Sequence, residues 1–168
     1  RNLESINLNE QNQLKLLEKF NFKNELIELD LNAGSKDFNF YFGNGSFEKG
    51  DAEIYYQIIR YFKPKKIVEV GSGHSTLIAM EAIKKNKDYN IDTTIKCIEP
   101  FENKWLENLN LEIIRKPLEQ LDLNWSEELN ENDIFFLDSS HIIRPDGDVV
   151  KFYLEILPNL KSGVIIHI

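Results

Sequence analysis

The chain has 168 residues, of which 42% are hydrophobic and 29% charged, an ordinary composition for a globular protein with one sizeable core. A formal net charge of −8 and a pI near 5.0 exclude the large basic stripe that binding a nucleic acid requires. No apolar run approaches the roughly 20 residues of a membrane span, and no signal peptide is recognisable. The single cysteine, Cys97, excludes an internal disulfide. We therefore predict a cytoplasmic protein with neither a membrane nor a nucleic-acid partner.

The chain divides into two parts by pattern. Residues 1–43 are predicted to form an N-terminal accessory segment, with a helical stripe at Leu14, Leu17 and Phe20 but no recognisable chemistry. Asp51 is the predicted N-cap of the next helix, which should end before Pro64. The spacing predicts that this helix buries four residues: Ile54, Ile58, Tyr61 and Phe62.

From there, predicted strands and helices alternate. The predicted strands cover residues 67–70, 94–98, 112–114, 134–137 and 163–168. Predicted helical segments follow at 104–108 and 148–157, and after the first strand comes a helix with one face formed by Thr76, Ala79, Met80 and Ile83. Such alternation predicts an α/β fold with a doubly wound, Rossmann-like parallel sheet and right-handed crossovers. We expect residues 44–168 to form this domain. The fifth predicted strand ends the chain at Ile168 and would leave a hydrophobic sheet edge uncovered. We therefore expect C-terminal strands to be missing from the chain; the alternative is that another subunit covers this edge.

A glycine-rich turn follows the first predicted strand, in the run Glu69-Val70-Gly71-Ser72-Gly73-His74-Ser75-Thr76. Gly71 and Gly73 permit a tight turn and a close approach of a ligand to the main chain. The free N–H groups at the start of the following helix favour the polar or anionic end of that ligand. The turn predicts a nucleotide-type cofactor site, although Gly-x-Gly also occurs in purely structural turns.

An acid closes the second predicted strand at Glu99. Ligands of open parallel sheets lie beyond the carboxyl ends of the strands, so this carboxylate is expected beside the glycine turn. There it is suited to accept hydrogen bonds from two ribose hydroxyls, each worth about 1.5–3 kcal/mol. The alternative is a surface acid that precedes Pro100.

Three stretches together resemble the class I S-adenosylmethionine-dependent methyltransferases. They are Glu69-Val70-Gly71-Ser72-Gly73-His74-Ser75, the acid Glu99, and Phe135-Phe136-Leu137-Asp138-Ser139-Ser140-His141. Within that family the chain is similar to the small-molecule subgroup with a Gly-Ser-Gly-x-Ser-Thr turn, in which stretches like residues 50–53 and 154–167 also recur. The resemblance covers about residues 44–168.

The resemblance implies S-adenosyl-L-methionine as the cofactor. The residues matching the loop that holds its methionine portion are Glu69, Gly71, Ser72, Gly73 and Ser75, with Ser75 in place of the usual third glycine. Glu99 matches the ribose-binding acid, and Asp138 matches an acid that faces the methyl donor, the acceptor or a metal. The adenine-contacting position falls at Pro117-Leu118-Glu119, where no clear polar partner stands.

Asp138 and His141 are the candidate catalytic residues, because either side chain can take a proton from an acceptor hydroxyl. The alternatives are a strand-end acid that caps the following loop and a loop histidine bonded to backbone. Asp146 and Asp148 are predicted to be turn and N-cap residues. No metal ligands are assigned, and a metal-dependent member of the family needs ligands beyond Ile168.

The leading hypothesis is therefore a methyltransferase that acts on an oxygen or nitrogen of a small-molecule acceptor. A non-catalytic domain that binds S-adenosylmethionine is one alternative. An NAD-dependent oxidoreductase is another, because Gly71-Ser72-Gly73-His74-Ser75-Thr76 loosely fits Gly-x-Gly-x-x-[Gly/Ala]. Against the oxidoreductase, Thr76 replaces the third glycine, and Glu99 comes later than the usual spacing of about 20 residues. The sequence predicts no oligomeric state.

Overall fold

Five parallel strands form one sheet at the centre of the molecule. A computed structural model describes residues 9–31, 38–101 and 103–168, so parts of the predicted accessory segment (1–8 and 32–37) lie outside the described residues. The strands are β1 (Lys66–Val70), β2 (Thr94–Ile98), β3 (Glu112–Ile114), β4 (Ile134–Leu137) and β5 (Ile165–His167). Their order is β3-β2-β1-β4-β5, with every neighbouring pair parallel. The predicted doubly wound α/β fold is confirmed.

Helices cover both faces of the sheet. They are α1 (Glu10–Leu17), α2 (Lys23–Leu31), α3 (Asp51–Phe62), α4 (His74–Lys87), α5 (Trp125–Glu128) and α6 (Asp148–Lys151). Short 3-10 turns occupy Lys104–Leu109, Leu118–Gln120 and Leu157–Asn159. The predicted helix at 148–157 is present without a break. It begins as an α-helix, becomes a π turn at Phe152–Ile156 and ends as a 3-10 turn. Among the described residues, no helix has both the length and the apolarity to cross a bilayer.

Strand alternation divides the core into two layers. On one face, Ile67 and Glu69 of β1 align with Ile95 and Cys97 of β2, beneath α3 and α4. The opposite face of the sheet presents a second apolar set, which packs against Trp125 of α5 and Phe152 of the π turn: Val68, Val70, Ile98, Phe135 and Leu137. The strand order reverses at β1, because its neighbours β2 and β4 belong to opposite halves of the sheet. A ligand crevice is expected at the carboxyl end of β1.

Two helical predictions need correction. Gly50, not Asp51, is the N-cap of α3, and the inward face is not the predicted one. The predicted residues Ile54, Ile58, Tyr61 and Phe62 are only half-buried, whereas the buried set is Ala52, Tyr55, Tyr56, Ile59 and Arg60. The apolar spacing misses this face because it includes an arginine and two tyrosines whose rings and charge find partners in the interior.

The predicted stripe on the N-terminal helix is also only partly correct. Helix α1 exists, but Leu14 and Leu17 are largely exposed. Phe20 lies beyond the end of α1, and its ring meets the Tyr61 ring edge-on at 6.0 Å. The segment is held to the rest of the chain mainly through α2, since Leu26 is buried in the same core as α3 and α4.

Candidate functional site

A cavity of about 530 Å³ opens at the carboxyl ends of β1, β2 and β4. The glycine turn (residues 71–75), Glu99 and Asp138 all line it. Its remaining wall comes from other loops: Ser46, Phe47, Pro100, Phe101, Asn103, Pro117, Leu118, Glu119, Ser139, Ser140, Arg144 and Asp148. The fold therefore brings the predicted loop, ribose acid and strand-end acid to one cleft. Its size is that of a pocket for a small ligand.

Gly71 has a conformation and a setting that only glycine tolerates. Its φ is +85°, and a Cβ there would lie 1.7 Å from the backbone oxygen of Asp138. The Gly71 N–H donates to the Ile98 oxygen at 3.0 Å, and the Asp138 N–H donates to the Val70 oxygen at 2.9 Å. These bonds hold the ends of β1, β2 and β4 together directly beneath the cavity.

The start of α4 presents backbone donors to the cavity. The Gly73 N–H donates to Thr76 Oγ1 at 3.0 Å, so the Thr76 hydroxyl satisfies that group. Within the described residues, the next two N–H groups, of His74 and Ser75, have no hydrogen-bond partner. Both residues line the cavity. Free amides at the start of a helix favour a carboxylate or another polar group of a ligand.

Glu69 lies behind the glycine turn and does not line the cavity. Its side chain is fully buried, and the Ser75 hydroxyl donates to Oε1, while Oε2 has no partner in the described structure. Burial raises the pKa of Glu69 to about 8, against the hydrogen bonds from Ser75 and Thr76. Glu69 is therefore protonated at neutral pH and supports the turn from below.

Glu99 is a buried wall residue whose backbone is firmly fixed. Its N–H donates to the Ile114 oxygen at 3.2 Å, and its own oxygen accepts from Arg115 Nη1 at 2.8 Å. The carboxylate atom Oε1 accepts from the Phe101 N–H at 3.2 Å. The carboxylate is thus held at the edge of the cavity on the β2 side.

Asn103 is a site residue that sequence reasoning missed. It has a positive φ of 52°, and its Nδ2 donates to the Ser72 oxygen at 2.9 Å, across the cavity floor. A Cβ on Gly73 would lie 3.1 Å from the same Nδ2. Trp105 Nε1 donates to Asn103 Oδ1 at 3.1 Å. Asn103 therefore holds the shape of the glycine turn from the loop after β2, and nothing in the local sequence indicates it.

The two candidate catalytic residues are adjacent but differently placed. Asp138 lines the cavity with its side chain 41% exposed, whereas His141 is outside the wall and 67% exposed. His141 Nε2 lies 2.9 Å from Asp138 Oδ1, and the left-handed φ of 59° at His141 turns the loop back toward the strand end. The pair presents a carboxylate to the cavity with an imidazole behind it.

Asp148 also belongs to the wall, where sequence analysis expects only an N-cap. Gly147 is the N-cap of α6, and the Asp148 carboxylate accepts from the Ser140 N–H at 2.9 Å and from Ser140 Oγ at 2.5 Å. Burial raises the pKa of Asp148, but the hydrogen bonds from the Ser140 hydroxyl and the Ser140 backbone N–H outweigh it, and the pKa is lowered to about 2. The carboxylate is charged throughout the physiological range and fixes the loop after β4.

The cavity is strongly acidic. Four carboxylates line it: Glu99, Glu119, Asp138 and Asp148. Burial lowers the pKa of His74, which favours its neutral form, so Arg144 is the one permanent cation among the described residues of the wall. Such a potential favours a ligand that carries positive charge. In the part of the chain that the structure describes, no group of three His, Cys, Asp or Glu side chains could hold a metal ion.

Comparison with known proteins identifies the family to which the chain belongs. Residues 68–168 match the model of the methyltransferase domain. The chain belongs to the methyltransferase-domain family. This confirms, at the level of the family, the class I methyltransferase resemblance; the subgroup defined by the Gly-Ser-Gly-x-Ser-Thr turn stays a prediction.

An uncharacterized protein of Archaeoglobus fulgidus is 38% identical over 135 residues, which cover 77% of this chain and 60% of that protein. The chain thus spans about 60% of the length of the curated relative that it matches. No solved structure matches the chain.

Proposed function

We propose that this methyltransferase domain binds S-adenosylmethionine in the 530 Å³ cavity and transfers its methyl group to an oxygen or nitrogen of a small molecule. The observation that supports this most directly is the single cavity shared by the glycine turn, Glu99 and Asp138, in a chain of this family. We also propose that the protein is cytoplasmic.

The residues present fit that cofactor. The His74 and Ser75 amides are suited to its carboxylate, and the Glu99 carboxylate to its ribose hydroxyls. Four wall carboxylates favour a cation, and the bound cofactor supplies a positively charged methyl donor. Leu118, buried at 2% exposure beside Pro117, offers an apolar surface for a base.

The chain contributes to the methyl transfer chiefly by positioning the donor and the acceptor. A methyl transfer requires donor and acceptor in line at about 3 Å, and holding both in one cleft supplies several kcal/mol of the barrier. Asp138 is placed to accept a proton from an acceptor hydroxyl, and His141 behind it is placed to stabilise the carboxylate. A nitrogen acceptor that is already neutral needs no such base.

Calorimetry with S-adenosylmethionine, S-adenosylhomocysteine and NAD tests the binding step. We expect the first two to bind and NAD not to bind. Glu99→Ala should weaken S-adenosylmethionine binding about tenfold or more, since the loss of one charge-assisted hydrogen bond exceeds 1.4 kcal/mol. Glu127→Ala, at an exposed position of α5, is the matched control and should leave the affinity unchanged.

The alternatives give different results. Binding of NAD alone would replace the methyltransferase with the oxidoreductase. Binding of S-adenosylmethionine without transfer of a radiolabelled methyl group to any acceptor in a broad panel would favour the non-catalytic alternative. If Glu99→Ala binds S-adenosylmethionine with unchanged affinity, the ribose does not bind on the β2 side of the cavity.

A further inference from the structure

Arg144 is the feature of the cavity that the proposed function leaves unused. It is an exposed residue of the loop between β4 and α6, and it lies on the cavity wall. Two wall carboxylates of the same region, Asp138 and Asp148, are each bonded to another group. Within the described residues, the Arg144 guanidinium has no ion pair or hydrogen bond. A free cation beside two carboxylates that pair elsewhere is available to a ligand.

The stem of Arg144 is nevertheless held in place. The Gly147 N–H donates to the Arg144 oxygen at 3.2 Å, closing the turn that ends at α6. A Cβ on Gly147 would lie 2.6 Å from Arg144 Cγ and 3.1 Å from Arg144 Nε, so the side chain lies directly over the glycine. The side chain is therefore positioned by packing, while its charged end is unpaired.

Arg144 lies on the part of the cavity wall that the loop after β4 forms, together with Ser140 and Asp148. The Ser140–Asp148 hydrogen bonds fix this loop, and the backbone oxygen of Asp138 at its start lies against Gly71. The glycine turn and the loop that carries Arg144 are thus different parts of one wall. If the cofactor's methionine portion lies at the glycine turn, Arg144 faces the space left for the acceptor.

We propose that Arg144 binds an anionic oxygen group of the methyl acceptor, so that the enzyme acts on carboxylate-bearing small molecules; this rests on the proposed function. An acidic cavity repels an anionic acceptor unless a cation is provided at its binding position. A guanidinium is suited to this because its planar donors bind a carboxylate in a bidentate manner. Arg144 thereby selects among acceptors, and the carboxylate it holds orients the reacting oxygen or nitrogen toward Asp138.

The test uses matched acid and amide probes on the protein saturated with S-adenosylhomocysteine. The panel contains small aromatic and aliphatic hydroxy acids and the primary amide of each, for example 3,4-dihydroxybenzoate and 3,4-dihydroxybenzamide, with binding followed by calorimetry. In the unaltered protein, at least one acid should bind about tenfold or more tightly than its amide.

Arg144→Gln should remove that preference while leaving the amide's affinity and the affinity for S-adenosylmethionine unchanged. Arg144→Lys keeps the positive charge but loses the planar, forked donors of the guanidinium, so it should retain part of the preference for the acid. Lys84→Gln changes the net charge equally on an α4 side chain that is 76% exposed, and should have no effect.

Each other outcome is decisive. If no acid in the panel is preferred over its amide, or if Arg144→Gln retains the preference, the assignment of Arg144 to the acceptor is wrong. If Arg144→Gln instead weakens S-adenosylmethionine binding tenfold, the carboxylate held by Arg144 is the cofactor's own. If the unaltered protein binds no S-adenosylmethionine, the proposed function itself is wrong. A protein that binds S-adenosylmethionine but shows no acid preference that depends on Arg144 contradicts only the role of Arg144.

Discussion

Two buried polar clusters flank α3, and they differ in how completely their hydrogen bonds are made. In the first, Arg60 donates to both oxygens of Glu25, from Nε at 2.7 Å and Nη2 at 2.8 Å, and also to Asn86 Oδ1. Tyr56 donates its hydroxyl to the same Glu25 at 2.7 Å. Every member of this cluster has a partner, although Arg60 is only 2% exposed.

The second cluster lies between α3 and the sheet, and several of its polar atoms have no hydrogen-bond partner among the described residues. Tyr55 stacks on Phe136 at 4.4 Å, and the strand register sets Glu69 and His167 on either side of Phe136. In the described structure, Tyr55 Oη, Glu69 Oε2 and His167 Nδ1 are buried without a hydrogen-bond partner. Each such group costs about 1–3 kcal/mol.

The difference separates a structural cluster from one beside the site. The satisfied cluster joins α2 to α3 and α4, away from the cavity, where a fixed ion pair only has to hold the accessory helix. The unsatisfied cluster lies under the glycine turn, and its Glu69 is the residue bonded to Ser75. Of this cluster, Glu69 is the residue that ties the interior to the turn, through its bond with Ser75.

The largest expected effect comes from breaking the satisfied cluster. Glu25→Ala leaves Arg60 as a buried charge without its carboxylate, and should lower the free energy of unfolding by about 3–5 kcal/mol in urea titrations. Glu28→Ala is the matched control, because Glu28 on the same helix is 65% exposed and 3.4 Å from Lys85. It should cost less than about 1 kcal/mol. Equal effects of the two variants would show that the cluster is not structural.

A second, intermediate effect concerns pH and the unsatisfied cluster. Burial raises the pKa of Glu69 from an ordinary 4.5 to about 8, so between these values the folded chain retains a proton that the unfolded chain releases. Stability should therefore fall as pH rises through this window, by up to about 1.4 kcal/mol per pH unit. Glu69→Gln cannot ionise and should lose this slope.

The measurement is the difference in unfolding free energy between the two proteins from pH 5 to 8. His74 and His167, whose pKa values burial lowers, titrate in both proteins and cancel in the difference. Asp138, Glu99 and Cys97 also face Glu69 and are present in both proteins. Parallel profiles would mean that Glu69 is already ionised in the folded state.

The contrast also explains what sequence can predict. The five strands and the turn at Gly71 follow from local patterns, since β-branched runs and glycine spacing act over a few residues. The α3 face does not, because Arg60 is buried against Glu25 and Asn86, which are 35 and 26 residues away. The spacing of residues within α3 cannot reveal partners that lie on other helices.

The site divides in the same way. Glu99 and Asp138 were predictable because each ends a parallel strand, and strand ends meet at one edge. Asn103 was not, since it acts across 31 residues on Ser72. Arg144 was not either, since only the fold brings it to the cavity wall. Such roles are set by tertiary contacts, and a local motif does not contain them.

The smallest effect is also the sharpest test of the comparison, because α3 offers two adjacent tyrosines for one substitution. Tyr55→Phe deletes a buried hydroxyl that has no hydrogen-bond partner among the described residues, so stability should be unchanged or rise by up to about 1 kcal/mol. Tyr56→Phe deletes a hydroxyl bonded to Glu25, so stability should fall by about 1–2 kcal/mol. Urea titrations of the two variants should therefore shift in opposite directions. A loss of equal size in both would show that Tyr55 Oη is bonded in solution, and that the cluster under the glycine turn is as complete as the one around Arg60.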